Sequence, residues 1–191
     1  MGGRRAPNER EGRVELTMEL TREIRAKRIA VARDVLAQLD RKDVPLKVRR
    51  GTYLAGPMIE GRIAGPSLQP YVDKLQEYCE ACAIGAAFLS YVRLFGVDCD
   101  VVRNFDRVWV GDDLMRDHLA TIFDGRTLDL IESMFEGENM IALSSMQPSK
   151  PHIKECDEAG ELGGQFFSAA GAIQAICQIL IENDGDFVIP A

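Results

Sequence analysis

The sequence predicts a single domain that is mainly α-helical or α+β, with two central buried helices and a small antiparallel β element. Apolar residues recur at helical spacing over residues 14–40, 67–96 and 165–182. Two windows, 81–92 and 162–181, contain no charged residue, which is typical of helices at the centre of a domain. We expect the two charge-free helices, at 81–92 and 165–181, to pack on each other.

The first predicted element is a long helix over residues 14–40. Steps of four and seven residues keep its apolar side chains on one stripe, which consists of Leu16, Leu20, Ile24, Val31, Val35 and Leu39. Such a helix is roughly 40 Å long, so its first turns should extend beyond the core. Residues 1–13 lack this periodicity. We expect a flexible arm there, followed by one globular domain over residues 14–191.

Short strands are predicted next. Val44, Leu46 and Val48 alternate with polar residues or proline, which is the period of a strand. Gly51 can form a turn after which residues 52–54 return as a second strand, giving an antiparallel hairpin. Further short strands are expected within residues 97–111 and at 187–189.

The second helix is predicted over residues 67–96, because its apolar residues form a heptad seam of Leu68, Val72, Leu75, Cys79, Cys82, Ala86 and Leu89. The Cys-x-x-Cys pair of Cys79 and Cys82 then faces the core, where thiols pack as small apolar groups. Half of a zinc site and a redox pair are the alternatives. Zinc would need two further ligands, and a redox pair normally lies where a helix begins. We therefore predict reduced cysteines and no metal or cofactor.

Candidate catalytic residues lie on a predicted helix that begins at Asp112 or Asp113. Asp113 and Asp117 are one turn apart and His118 is adjacent, a set that could bind a metal ion or act in acid–base chemistry. The alternative is a capping aspartate beside a solvated helix face. Residues 138–164 show little periodicity and contain several Gly and Pro, which predicts a long loop, either a functional lid or a mobile segment. His152 lies in this loop, with no partner near it in the sequence.

The charge is distributed unevenly along the chain. Residues 1–50 carry 14 Lys and Arg against 8 Asp and Glu, a net charge of +6, whereas residues 51–191 carry −13. Glutamates alternate with the cations of the first helix, and Glu19–Arg22 and Glu23–Lys27 are spaced for pairing. We therefore expect this region to contact protein: its own acidic body, a second copy or an acidic partner. Nucleic acid is the disfavoured alternative.

No segment is apolar and long enough to predict a membrane span, and no secretory signal follows the first arginines. These two observations predict a cytoplasmic protein that does not enter a membrane.

Three stretches together resemble a group of known proteins: residues 82–86 (Cys-Ala-Ile-Gly-Ala), 123–132 followed by Phe135 and Glu136, and 181–190. In this order they are similar to small proteins without assigned activity that are encoded by bacteriophages and by bacteria carrying prophages. The resemblance covers residues 28–190. It implies a phage accessory or host-modulating protein that acts in the host cytoplasm, and it carries no functional residue with it.

The sequence predicts a non-enzymatic interaction protein, because it contains no phosphate-binding loop, nucleophile elbow or other convergent catalytic set. One alternative is a small enzyme or ligand-binding domain that uses residues 138–164 as a lid over His118, Asp113 and Asp117. Another is a structural subunit of the virion. An enclosed pocket lined by His118 would favour the enzyme, and an exposed apolar patch would favour the interaction protein.

Overall fold

The structure is a computed structural model that describes residues 9–51, 54–55, 72, 80–96, 112–137 and 152–190. The prediction of a mainly helical fold with a minor β element is confirmed. In chain order the elements are α1 (Glu9–Leu39), β1 (Lys47–Val48), β2 (Leu54–Ala55), β3 (Glu80–Ala81), α2 (Ala83–Phe95), α3 (Asp112–Leu119), α4 (Gly125–Glu136), α5 (Ile153–Gly164) and α6 (Ala169–Glu182).

The long first helix is present, and it begins earlier than the sequence pattern predicts. α1 contains 31 residues, which corresponds to a length of about 46 Å. Residues 9–13, which we expected in a flexible arm, belong to this helix. The predicted stripe packs in the second half of α1, where Val31 and Val35 are buried, whereas Leu20 is exposed. Residues 1–8 lie outside the described residues.

The strands form a three-stranded mixed sheet in the order β1-β3-β2. β1 runs parallel to β3, with Lys47 opposite Glu80, and β2 runs antiparallel to it, with Leu54 opposite Ala81. The predicted hairpin of residues 44–54 was therefore wrong, because β3 lies between its two strands. Within the described part of the chain, residues 187–189 form no strand, and the strands expected at 97–111 lie outside it.

The predicted helix over residues 67–96 was wrong at residues 80–82, which interrupt it, whereas Val72 is helical as predicted. Glu80 and Ala81 are a strand, and α2 begins only at Ala83, after Cys82 as the N-cap residue. The helix ends at Gly96, whose φ of 70° is a conformation that favours glycine. The apolar seam is correct from Cys82 onwards, since Cys82, Ala86 and Leu89 are all buried. Residues 73–79 lie outside the described ranges.

The predicted loop over residues 138–164 was also wrong in part, because residues 153–164 form helix α5. This helix packs along α4, and the approach is close enough that a Cβ on Gly163 would overlap the carbonyl oxygen of Met134. The glycines at 160–164, which contribute to the predicted loop, belong to this helix up to Gly164. Gly163 instead allows two helix backbones to touch. Residues 138–151 lie outside the described chain.

The two charge-free helices, α2 and α6, do not pair as predicted. Each packs against α1 on one side and α4 on the other, whereas direct contact between α2 and α6 is slight. The core between these helices contains large side chains that are completely enclosed, among them Phe88, Phe123, Phe135, Ile84, Leu89, Met115 and Ile173.

Candidate functional site

A cluster of charged side chains lies where α3, α4 and α5 meet. Arg116 donates one hydrogen bond to Asp129, with Nη1 2.9 Å from Oδ1, and a second to Glu132. The other oxygen of Asp129 lies 2.9 Å from Nε2 of His152. The side chains of these four residues are only 10–20% exposed. We call Arg116, Asp129, Glu132 and His152 the ionic cluster.

The three helices determine the positions of the cluster residues. Asp129 and Glu132 are three residues apart and so lie on one face of α4, towards α3. His152 is the residue before α5, and its side chain makes no capping bond to that helix, so the ring reaches Asp129 instead. α5 packs along α4, which brings His152 at its start within reach of Asp129.

A histidine beside a buried carboxylate is the arrangement found in many general bases, which makes the cluster a candidate for catalysis. Its polar groups, however, bind one another. Asp129 binds both Arg116 and His152, and Arg116 binds both Asp129 and Glu132. Two cavities among the described residues, one beside α1 and one at the start of α4, are lined by other side chains. The cluster therefore acts as a polar joint between three helices.

Of the residues predicted from sequence as an acid–base set, the structure describes the side chains of Asp117 and His118. Asp117 is exposed, and the ring of His118 turns to α2, where its centroid lies 6.0 Å from that of Phe88. Asp113 is the second residue of α3, but its side chain lies outside the described part. Residues 153–164 of the predicted lid form helix α5, so they cannot close over His118 as a loop.

Cys82 lies at the junction of β3 and α2, where redox cysteines are typically found, and not within a helix as predicted. Its Sγ accepts a hydrogen bond of 3.4 Å from the backbone of Gly85. Burial nevertheless raises the pKa of Cys82 to about 12, and burial raises that of Cys177 to about 12 as well. Removal from water thus outweighs the amide groups at the helix start, and both thiols stay protonated. Cys79 lies outside the described residues.

Metal sites in proteins are formed by grouped His, Cys, Asp and Glu side chains. In the ranges that the structure covers, no three His, Cys, Asp or Glu side chains are grouped so that they could hold an ion. Cys156 and Cys177 are buried cysteines, as is Cys82.

A cavity of about 460 Å³ opens beside the start of α4. Arg28 and Arg126 contribute its positive charges, and each is already paired, Arg28 with Asp186 at 2.9 Å and Arg126 with Glu155. Arg28 also lies over the ring of Phe123, 5.5 Å from its centroid. These contacts close the cavity wall and attach α1 to the segment after α6.

Two exposed apolar side chains mark a different surface, the first half of α1. Every residue from 18 to 23 is exposed, and Met18 and Leu20 are 69% and 58% exposed. Two turns after Leu20, Lys27 lies 5.8 Å from the ring of Phe95, which is itself exposed at the end of α2. Leu20 and Phe95 therefore lie along the same side of the molecule. We call residues 18–23 the exposed end of α1.

Sequence reasoning missed the ionic cluster. Asp129 is separated from His152 by 23 positions and from Arg116 by 13, so no local spacing connects them. The only local signal is the three-residue step from Asp129 to Glu132 on an otherwise apolar helix.

Among the helices that the structure describes, none has both the length and the apolar character needed to cross a membrane. No family model matches this chain, and no curated protein or solved structure matches it. The function proposed below consequently depends on the contacts, burial and charges of the described residues.

Proposed function

We propose that this chain is a non-enzymatic interaction protein whose contact surface is the exposed end of α1. One observation carries the proposal: the apolar stripe that buries Val31 and Val35 continues along α1 to Leu20, where the rest of the domain no longer covers it. An apolar stripe that extends beyond its own core is typical of a helix that packs against another molecule.

The lengths of the helices explain why α1 is uncovered. α1 contains 31 residues, whereas the helices beside it, α2 and α6, contain 13 and 14. Both neighbours end near the middle of α1, because Lys27 contacts Phe95 and Arg25 contacts Asp186, 2.9 Å away. The preceding turns of α1 therefore project beyond the body.

A free projection of this kind is marginal in water. Isolated helices shorter than about 12–15 residues rarely persist without packing, although pairs such as Glu23–Lys27, 2.7 Å apart, add some support. Covering a large apolar side chain such as Leu20 contributes about 1.5–3 kcal/mol. Contact with a partner would supply the packing that residues 18–23 do not receive from the described part of this chain.

The enzyme alternative has less support. Of its candidate residues, Asp117 is exposed while His118 packs on Phe88, and residues 153–164 of its lid form helix α5. The resemblance to small phage-encoded proteins, if it reflects a common role, extends our proposal to the cytoplasm of a bacterial host. The partner would then be a viral or a host protein.

The test is site-specific crosslinking in living cells. A photoreactive amino acid replaces Leu20 in one strain and Gln174, an exposed polar residue of α6, in a control strain. We expect discrete protein adducts from position 20 and few from position 174. Equal labelling at both positions, or none at position 20, would contradict the proposed contact surface.

A further inference from the structure

We propose that residues 187–189 and the cavity beside them bind an extended, basic segment of a partner protein, which adds a strand along Phe187, Val188 and Ile189. This surface does not include the exposed end of α1, so it is a second contact surface beyond the function proposed above. Strand addition of this kind supplies affinity through main-chain hydrogen bonds and specificity through side-chain pockets. Three features of the surface support it: a strand-like segment without a partner, a cavity along that segment, and the charge of the cavity.

The sequence predicts a strand at residues 187–189, and the structure shows this segment without a partner strand. Exposure alternates along it as in a strand, since Phe187 is 7% exposed, Val188 is 51% exposed and Ile189 is half-buried. Pro190 further favours an extended backbone at Ile189. Within the described part of the chain, residues 187–190 make no backbone hydrogen bond. Their main-chain donors and acceptors are therefore available to a strand from another molecule.

A cavity of about 460 Å³ lies along this segment and is also lined by the first halves of α4 and α5. Its volume falls within the range of ligand pockets, about 300–1,000 Å³. Leu130, Phe187 and Ile189 give the cavity an apolar wall that can contact an apolar side chain. Because successive side chains of a strand point in opposite directions, every second residue of the added segment can enter the cavity.

The charge of the cavity indicates a basic partner. Four carboxylates and two guanidiniums line it, a net charge of −2. Both guanidiniums are paired, Arg28 with Asp186 at 2.9 Å and Arg126 with Glu155. Glu158, one turn after Glu155, is exposed, and among the described residues it forms no ion pair. A lysine or arginine of the added strand would pair with Glu158, which makes a cationic segment complementary to this surface.

The same charges disfavour a second copy of this chain as the occupant. Its own strand-like segment follows Asp184 and Asp186 directly, so self-pairing would bring further carboxylates to an acidic cavity. The body of the chain, which carries −13 over residues 51–191, adds to the attraction of a cationic segment from another protein.

The first experiment selects binders from a display library of random short peptides, with the purified full-length chain as the target. We expect enrichment of sequences that combine Lys or Arg with apolar residues at alternating positions. An enriched peptide is then synthesised, and its dissociation constant is measured by fluorescence anisotropy. Glu158→Lys should weaken the binding by about tenfold or more, because a cation replaces the carboxylate that pairs with the peptide.

Glu19→Lys is the matched control. It makes the same charge change at an exposed residue of α1 that does not line the cavity. At physiological ionic strength a charge this far away is screened, so the dissociation constant should change by less than about twofold. Circular dichroism establishes that both variants fold.

The second experiment tests whether the peptide binds as a strand. Alternate amide groups of a strand point in the same direction, so only every second N–H of the peptide can donate to residues 187–189. N-methylation of one alternating set of peptide amides should therefore weaken binding by about tenfold or more, and N-methylation of the other set should preserve it.

Four outcomes overturn the proposal: a library from which nothing is enriched, enriched peptides without cations, equal effects of the two protein variants, and equal effects of the two methylation patterns. None of them alters the crosslinking expected from position 20 in cells. The contact surface on α1 and the strand-binding surface at residues 187–189 are thus tested separately.

Discussion

The guanidinium of Arg116 pairs with two buried carboxylates, those of Asp129 and Glu132. Removal of Arg116 would leave both carboxylates without their cation. The side chains of Asp129 and Glu132 are only 13% and 10% exposed. Breaking a buried pair by deleting one partner typically costs 3–5 kcal/mol, because the remaining charge is uncompensated. We therefore expect Arg116→Met to lower the free energy of unfolding by about 3 kcal/mol, measured by chemical denaturation.

Arg49→Met provides the matched control. Arg49 also binds a carboxylate, that of Glu80 at 3.1 Å, but its side chain is 66% exposed. Exposed pairs contribute little because water screens them, so this change should cost less than about 1 kcal/mol. Similar losses for the two variants would show that the ionic cluster is not a joint of the folded state.

The buried thiols make a prediction about reactivity. Only the thiolate reacts with alkylating reagents, and burial raises the pKa values of Cys82 and Cys177 to about 12. At a pH near 8.5 both groups should therefore stay protonated, and they are also shielded from the reagent. We expect iodoacetamide to leave both unmodified in the native protein and to modify both in guanidinium chloride, as read by peptide mass spectrometry. Rapid native labelling of Cys82 would instead support a redox role.

At the scale of elements, the contact between α4 and α5 depends on a missing side chain. A Cβ at Gly163 would overlap the carbonyl oxygen of Met134, which is helix backbone and cannot move aside cheaply. We expect Gly163→Ala to force the helices apart and to lower the free energy of unfolding by about 3 kcal/mol or more.

Gly125→Ala is the corresponding control. Gly125 lies at the start of α4, and a Cβ there would meet nothing within 4 Å. Alanine favours helix over glycine, so this variant should be neutral or up to about 1 kcal/mol more stable. If Gly163→Ala were equally harmless in thermal melts, the two helices would not be in the close contact described here.

Helix periodicity predicted most of this fold, and the failures have a common physical cause. The stripe of α1 and the apolar faces of α2 and α6 are local patterns, and the structure contains them. The sheet is different. β3 consists of two residues that belong to a strand only because β1 and β2 flank them, and neither partner is adjacent in sequence. A heptad seam continued across this strand in the sequence, so the pattern indicated one helix.

The candidate site was predictable to a smaller extent. Exposure of Leu20 was expected from the length of α1, since a helix longer than its core must project from it. The pairing of Asp129 with His152 was not, because it depends on α5 packing against α4. That packing in turn depends on Gly163, which resembled a loop residue in the sequence.

At the scale of the whole molecule, the uneven charge of the chain has a visible internal consequence. Arg25 and Arg28 of α1 bind Asp184 and Asp186 in the acidic part of the chain, with the two contacts to Asp186 at 2.9 Å. Lys27 pairs with Glu23 in its own helix. Much of the basic charge that the sequence concentrates in α1 is thus neutralised within the folded chain.

This neutralisation leads to the prediction about nucleic acid. A protein that binds DNA or RNA through phosphates releases counterions, and one making six such contacts loses roughly 10³ in affinity between 50 and 200 mM salt. Arg25 and Arg28 would have to exchange Asp184 and Asp186 for phosphates, beside a body that carries −13 over residues 51–191. We therefore expect no saturable binding of duplex DNA or single-stranded RNA at 50 mM salt in a fluorescence-anisotropy titration.

The double variant Asp184→Asn/Asp186→Asn frees the two arginines and serves as the comparison. Tight wild-type binding with a steep salt dependence, lost on deletion of residues 1–28, would assign α1 to nucleic acid and not to protein.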